Sequence, residues 1–170
     1  MTATEQQRIF NQWLGQYKAL IFKVVRAYTT EQADRDDLFQ EICLQLWRSV
    51  SSFRSEAAVS TWIYRIAIRV AITWQGREKR ERERSRHYAE GQPLLQMPQQ
   101  AMDERVTWLY QEIQKMDVVD RSLALLLLDG YSYKEMAQLL GISESNVGVK
   151  IFRIKKRLTQ RATQFAKDGI

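Results

Sequence analysis

The chain has 170 residues, 45% of them hydrophobic, which is enough for one ordinary domain or two small ones with real cores. Its 26 Lys and Arg residues outnumber its 20 Asp and Glu residues. The net charge of +6 favours a polyanionic partner, either nucleic acid or an anionic membrane surface. A single cysteine, Cys43, and a single histidine, His87, exclude an intrachain disulfide and leave no Cys/His cluster for a metal. Since no catalytic set or Gly-rich phosphate loop is present either, we expect neither a cofactor nor an enzyme.

The N-terminus and the apolar periodicity predict location and fold class. The first residues, MTATEQQRIF, have neither a basic start nor an apolar signal core, and no stretch approaches the roughly 18 apolar residues that span a bilayer. We therefore expect a cytoplasmic protein without membrane insertion. With 2 prolines, 7 glycines and long stretches of helical spacing, the chain is predicted to be all-α, without strands.

The first half contains three helical segments. EQQRIFNQWLGQYKALIFKVVRAY predicts a core helix pair or one long helix, and the polar stretch TTEQADRD then predicts a break. The next segment, DLFQEICLQLW, has an apolar stripe formed by Leu38, Ile42, Leu46 and Trp47. Its other face holds Asp37, Gln40, Glu41 and Gln45. We expect Cys43 to be buried there as a small hydrophobe. VSTWIYRIAIRVAITW is almost wholly apolar, which predicts a position inside a bundle, with Arg65 and Arg69 on an exposed strip.

A charged segment that then becomes proline-containing separates the two halves. GREKRERERSRHYAEGQPLLQMPQQ begins as dense alternating charge, which can extend the preceding helix, and it continues into the chain's 2 prolines. Proline is incompatible with a regular helix interior. We therefore predict a flexible linker over 86–101 between two small helical domains, an N-terminal helical bundle and a C-terminal helix-turn-helix domain.

The second half is predicted to contain four helices with clear boundaries. The first has an apolar stripe formed by Val106, Leu109, Tyr110, Ile113 and Met116. SLALLLLDG predicts a short buried helix with Gly130 as its C-terminal cap. Ser132 and Glu135 have the spacing of a capping box, and Gly141 is expected to end the helix that follows. Ser143 can cap the last helix.

The last helix, ESNVGVKIFRIKKRL, combines an apolar stripe with basic faces. The stripe is formed by Val147, Ile151, Ile154 and Leu158. The other faces hold Ser145, Asn146, Lys150, Phe152, Arg153, Lys156 and Arg157. A short helix, a tight turn with glycine and a second, basic helix predict a helix-turn-helix whose second helix enters the DNA major groove. Basic residues also suit a helix C-terminus, but this accounts for the last turn and not for Lys150 or Arg153.

Both halves together resemble the extracytoplasmic-function (ECF) sigma factors, the compact two-domain class of bacterial sigma factors. The resemblance extends from about Tyr17 to Leu158 and depends on the DLFQEI helix, the FR loop, the TWIYRIA helix and the helix-turn-helix, in the family's order. It implies a region 2-like domain over 1–85 for core polymerase docking and minus-ten recognition, and a region 4-like domain over 102–170 for minus-35 recognition. The chain departs from the family at Gly148, where a Lys or Arg is common.

The resemblance implies roles for individual residues. The DLxQE helix of the family docks on the clamp of the largest subunits of RNA polymerase, which implies this interface for Asp37, Gln40, Glu41 and Trp47. The FR loop captures a flipped base of the minus-ten element and the next helix follows the melted strand. This implies minus-ten contacts for Arg54, Ser55, Glu56, Arg65 and Arg69. The implied minus-35 contacts are Ser145, Asn146, Lys150, Phe152, Arg153 and Lys156.

The function that the resemblance implies is that of a sigma factor, which recruits RNA polymerase to promoters and assists their melting. Its expected partners are core RNA polymerase (clamp and flap), promoter DNA, both double-stranded and melted, and an anti-sigma factor. The helix-turn-helix alone would also fit a stand-alone regulator with an N-terminal dimerisation or sensor domain. A regulator needs a dimer seam to place two half-sites, whereas we expect a sigma factor to be monomeric off the polymerase. Of two tryptophans near the implied DNA surface, we expect Trp62 in the core and leave Trp74 open.

Overall fold

The computed structural model describes residues 1–84 and 103–168. All the regular secondary structure in these residues is helical. The chain divides into two compact units between Met102 and Asp103. The predicted all-α class with two helical domains is therefore confirmed. The segment predicted to be a linker, 86–101, lies outside the described residues. Within the described part of the chain, no helix is long and apolar enough to cross a membrane.

Within its described residues, 1–84, the N-terminal unit consists of three helices in mutual contact. They are α1 (Ala3–Tyr28), α2 (Gln32–Ser49) and α3 (Val59–Arg84), and a single 3-10 turn, Val50–Ser52, follows α2. The sequence left open whether the first stretch forms one helix or two, and it forms one. Its N-cap is Thr2, whose hydroxyl oxygen accepts a hydrogen bond from the first turn at 3.2 Å.

The break between α1 and α2 is shorter than the sequence predicts, because α2 begins inside the polar stretch TTEQADRD. Gln32 Nε2 donates to Asp36 Oδ1 at 3.0 Å, one turn further on, and Asp36 is buried. Thr29 Oγ1 donates to Val25 O at 2.7 Å at the end of α1. These polar residues are compatible with helix because side-chain hydrogen bonds within one turn satisfy them and because acidic groups suit a helix N-terminus.

The bundle core follows the predicted apolar stripes. The stripe of α2 is buried at Leu38, Ile42 and Leu46, and the apolar α3 contacts both other helices. From α3 the core receives Ile63, Tyr64, Ala67, Ile68 and Ala71. Burial of each large aliphatic side chain stabilises the fold by about 1.5–3 kcal/mol. Cys43, expected in the core, is only half-buried, because it lies at the edge of the stripe beside a surface groove.

Four helices form the C-terminal unit. They are α4 (Glu104–Gln114), α5 (Val118–Leu128), α6 (Tyr133–Leu140) and α7 (Glu144–Asp168). Helix α7 packs against α5 and α6. Its contact surface is the predicted stripe, of which Val147, Ile151 and Ile154 are buried.

The turn signals of the C-terminal sequence are present in the structure. Ser132 Oγ accepts from Glu135 N at 3.2 Å while Glu135 Oε2 accepts from Ser132 N at 2.7 Å, which is the predicted capping box. Gly130 and Gly141 have φ values of 79° and 69°, the left-handed conformation that glycine adopts without a steric penalty. Ser143 Oγ accepts a backbone N–H from the first turn of α7 at 3.1 Å.

Helix α4 is tied to the distal part of α7. Trp108 stacks on Phe165 with ring centroids 5.3 Å apart, and Arg161 Nε donates to Glu112 Oε2 at 3.2 Å. Glu112 is buried, and no pattern in the sequence predicts its contact with Arg161. Val106, predicted as part of the apolar stripe, is instead exposed, because it lies in the first turn of α4, before the part that these contacts cover.

Candidate functional site

Two acidic residues of α2, Asp37 and Glu41, face the C-terminal half of α3. Trp74 Nε1 donates to Asp37 Oδ2 at 3.0 Å, and Arg77 donates to both carboxylate oxygens of Glu41, at 2.6 and 3.3 Å. This bidentate hydrogen bond raises the pKa of Arg77 above its usual value. Trp74, left open by the sequence, is 3% exposed and therefore a core residue that orients Asp37.

Two surface grooves meet on α2 at Leu44, whose side chain forms an apolar ridge between them. The first, about 550 Å³, lies between α2 and α3, where Gln40 and Leu44 face Arg69 and Val70. The second, about 500 Å³, lies between α1 and α2 and is also lined by Gln40 and Leu44. Leu44 is 56% exposed. Leu44 was not among the predicted interface residues, although its position outside the apolar stripe of α2 was a detectable signal.

The second groove is mainly apolar. Trp47 is half-buried and packs edge-on against Phe10, with ring centroids 5.5 Å apart. Gln6 Nε2 donates to Trp47 O at 2.8 Å and so fixes the C-terminal turn of α2 against α1. Burial raises the pKa of Cys43, which also lines this groove, to about 11, so its thiol stays protonated at neutral pH.

An exposed loop connects the 3-10 turn to α3. It carries Arg54, Ser55 and Glu56, all of them exposed. Ser55 has a φ of 58°, the left-handed region that a non-glycine residue rarely adopts and that costs about 1–2 kcal/mol. Such local strain is frequent in ligand-binding segments.

An aromatic row lies beneath this loop. Phe53 is in contact with Trp13 on one side and Trp62 on the other, at centroid distances of 5.2 and 5.6 Å. The row anchors the first residue of the loop to α1 and α3. Trp62, expected in the core, is half-buried, because it lies at the edge of the bundle against Phe53.

The exposed strip of α3, predicted to contain both Arg65 and Arg69, contains only the second of these residues. Arg69 is exposed, as expected, but Arg65 is half-buried, because α3 packs against both other helices along this part. Among the described residues, neither Arg65 Nε nor Trp62 Nε1 has a hydrogen-bond partner. Both atoms are shielded from solvent, and buried donors without a partner are rare in folded proteins.

Helix α7 presents most of its predicted contact residues to solvent. Opposite the buried stripe, the exposed residues are Ser145, Asn146, Phe152, Arg153 and Lys156. Lys150 differs from these, because its Nζ donates to Asp120 Oδ1 of α5 at 2.7 Å and the two side chains are about one-quarter exposed. This hydrogen bond raises the pKa of Lys150. The exposed Lys155 and Arg157 add to the basic character of the helix.

Gly148 lies against an aromatic ring. A Cβ atom at this position would meet the ring of Tyr133 at 3.9 and 4.0 Å, which is ordinary van der Waals contact. Tyr133, at the start of α6, is 38% exposed. The glycine is therefore compatible with, but not required by, the packing of α6 on α7.

The family comparisons match each unit separately. The family model described as Sigma-70 region 2 matches residues 13–81, and the one described as Sigma-70, region 4 matches residues 107–158. Together the two models cover most of the chain. The first includes the groove between α2 and α3, the α2 side of the other groove and the exposed loop, and the second includes α7 up to Leu158.

Similar proteins are known from several bacteria. The chain is 26% identical over 167 residues to the ECF RNA polymerase sigma-E factor of Haemophilus influenzae, covering 91% of this chain and 88% of that protein. It is 26% identical over 175 residues to the RNA polymerase sigma-H factor of Pseudomonas aeruginosa, covering 96% and 91%.

Two solved structures share the fold. One is the sigma factor RpoE from Bartonella quintana in complex with the anti-sigma factor NepR, with a TM-score of 0.71 and 17% identity over 90% of this chain and 96% of that chain. The other is CnrH in complex with the cytosolic domain of CnrY, with a TM-score of 0.65 and 19% identity over 93% and 90%.

Proposed function

Because the chain belongs to the sigma-70 family, in its extracytoplasmic-function class, we propose that it directs RNA polymerase to promoters through separate surfaces on its two units. The observation that carries this proposal is α7, a helix-turn-helix recognition helix whose solvent face is polar and basic. The sigma factor acts in the cytoplasm, as a transcription initiation factor without a catalytic step of its own. The proposed function requires no cofactor.

The docking surface for core polymerase is assigned to the exposed side of α2. Gln40, Leu44 and Trp47 line the two grooves and offer an amide, an apolar ridge and an aromatic edge, the mixture that is typical of protein interfaces. Asp37 and Glu41 also belong to this surface, but each is bonded to α3. They therefore add charge and also fix the angle between α2 and α3.

The minus-ten element is assigned to the loop after the 3-10 turn and to the exposed strip of α3. Arg54, Ser55 and Glu56 are exposed over a rigid aromatic base, which would let them line a pocket for an extruded base. Arg65 and Arg69 follow on α3. The exposed guanidinium of Arg69 supplies donors for a phosphate or a base edge, whereas Arg65, half-buried one turn earlier, would have to move its side chain to reach the strand.

The upstream, minus-35 element is assigned to α7. Ser145, Asn146, Arg153 and Lys156 are exposed along one side of a helix whose other side is buried, and this matches a helix lying in the major groove. Phe152 belongs to the same face. Lys150 remains a candidate contact, although it would have to exchange Asp120 for a phosphate.

The anti-sigma factor remains part of the proposal. The Bartonella quintana protein that shares this fold was solved with an anti-sigma factor. We extend that type of partner to this chain. Off the polymerase we expect the chain to be monomeric, since promoter recognition in the holoenzyme needs one copy.

Run-off transcription tests the function. Purified core polymerase is mixed with the protein and with genomic fragments, and the expected result is a set of discrete transcripts that core polymerase alone does not produce. As a matched control, the double variant Arg153→Ala/Lys156→Ala should bind core polymerase normally but yield fewer of these transcripts. Transcripts identical to those of core polymerase alone would contradict the proposal.

A further inference from the structure

An apolar pair interrupts the polar face of α7. Val149 is 50% exposed and Phe152 is 68% exposed, the highest value among the large apolar side chains of the described residues. The two residues are three positions apart and therefore neighbours on one side of the helix. Neither belongs to the buried stripe of α7, so core packing does not account for them.

The pair lies at the centre of the surface assigned to DNA. At about 3.6 residues per turn, Val149 is almost directly opposite the buried stripe of α7. The exposed residues around the pair are Ser145, Asn146, Arg153 and Lys156. The pair is thus placed where the helix would come nearest to a partner.

Neither helix stability nor solubility explains an apolar pair here. Valine and phenylalanine are poorer helix formers than the lysine and arginine that occupy the next turn, and exposed apolar side chains reduce solubility. The surrounding positive charge, from Arg153, Lys156 and Arg157, complements a polyanion. The occupant that satisfies both features has an anionic backbone and apolar groups at its surface.

We propose that Val149 and Phe152 are specificity-determining residues, which contact the C5-methyl groups of thymines in the major groove of the upstream promoter element. This inference rests on the proposed function. The thymine methyl is the apolar group that the major groove presents, and apolar side chains are its usual contacts. Their polar and basic neighbours bind phosphates and the hydrogen-bonding edges of bases, while the pair distinguishes thymine from cytosine.

Uracil substitution tests the proposal, because uracil lacks only the methyl group. The probe is a duplex that the holoenzyme, core polymerase with this chain, selects from a random-sequence library. Each thymine of the upstream element is replaced in turn by uracil. We expect about a fourfold loss of affinity at one or two positions, the effect of burying one methyl group. Val149→Ala and Phe152→Ala should each bring the ratio of thymine-probe to uracil-probe affinity to about one at one of these positions.

Val106→Ala is the matched control, because Val106 is an exposed valine of the same unit on α4, and it should retain the ratio. If the wild-type holoenzyme selects a sequence but binds thymine and uracil probes equally, or selects an upstream element without thymine, the methyl contact is wrong and the proposed function stands. The contact is also wrong if Val149→Ala weakens binding to core polymerase and leaves the ratio intact, since the pair then faces a protein. If no sequence is selected, both proposals fail.

Discussion

At the scale of single residues, Asp37 shows why a predicted interface residue can also be structural. Its carboxylate accepts the indole N–H of Trp74, a side chain that is 3% exposed. The sequence places Asp37 on the polar face of α2, but it cannot show that Trp74, 37 positions later, lies opposite. Leaving a buried donor without an acceptor costs about 1–3 kcal/mol.

We therefore expect Asp37→Ala to lower the free energy of unfolding by about 1–3 kcal/mol. Gln45→Ala, on the same face of α2, should change it by less than about 0.5 kcal/mol. Urea denaturation followed by tryptophan fluorescence measures both. Equal stabilities of the two variants would show that the hydrogen bond to Trp74 contributes nothing, and any loss of polymerase binding by Asp37→Ala would then be a direct interface effect.

Leu44 is the residue-scale test of the docking surface. It is 56% exposed on the ridge between the two grooves, so its truncation removes contact area without opening a cavity. Leu44→Ala should weaken core polymerase binding about tenfold, which corresponds to about 1.4 kcal/mol. Fluorescence anisotropy of labelled protein titrated with core polymerase measures this.

Leu128→Ala is the matched control, since Leu128 is 53% exposed in the other unit. It should bind core polymerase with an affinity close to that of the wild type. Comparable losses in both variants would mean that general surface hydrophobicity, and not the α2 ridge, accounts for the binding.

At the scale of secondary-structure elements, the sequence predicts best what is local. The capping box of Ser132 and Glu135 and the stop at Gly141 involve residues within a few positions of one another, and all are present. The start of α2 was wrongly predicted, because the polar residues there are satisfied by one another and not by solvent. Contacts between distant helices, such as Glu41 with Arg77, have no signature in one sequence.

Gly148 and Gly141 allow a test of this local logic on α6 and α7. Gly148→Ala should stabilise the protein by about 0.5–1 kcal/mol, because alanine favours helix and its Cβ would make only ordinary contact with Tyr133. Gly141→Ala should destabilise it by about 1–2 kcal/mol, because φ is 69° there. Thermal unfolding measured by circular dichroism compares them, and a destabilised Gly148→Ala would show that α7 cannot accommodate the added methyl group.

The contact between α4 and α7 through Glu112 and Arg161 is expected to depend on pH. Burial disfavours the charged form of Glu112, but hydrogen bonds from Lys115 and Arg161 outweigh this effect and lower its pKa below the usual 4.5. A lowered carboxyl pKa contributes stability that is complete above about pH 4.5 and is lost as the pH falls through the folded-state value. The protection factors of the α4 and α7 amides, which are exchange rates corrected for the intrinsic effect of pH, should therefore fall below about pH 4.5 in the wild type.

Glu112→Gln should exchange faster at neutral pH and respond less to acid, because the titrating group is absent. Glu104→Gln, which alters an exposed carboxylate in the first turn of the same helix, should behave as the wild type. An acid response of Glu112→Gln equal to that of the wild type would assign the response to other carboxylates.

At the scale of the whole molecule, our proposal assigns a different promoter element to each of the two units. Each unit has its own core, and each matches a different region of the sigma-70 family. The sequence could predict this division, because apolar periodicity stops between the halves. It could not predict how many of the predicted contacts also have partners within their own unit, as Lys150 and Glu41 do.

The division predicts distinct defects for the two sets of DNA-binding residues. Arg153→Ala/Lys156→Ala should reduce binding to the closed promoter, whereas Arg54→Ala/Glu56→Ala should allow binding but impair opening. Permanganate reactivity of thymines near the start site measures opening, and a template with a pre-melted start region separates the steps. On that template the strands are already separated, so the loop variant, which alters the exposed residues beside Ser55, should still contact the single strand poorly, and the α7 variant should contact it normally once bound. Equal losses of single-strand contact by both variants on the pre-melted template would contradict the proposed division, because the upstream element is double-stranded throughout and the proposal gives α7 no contact with the melted strand.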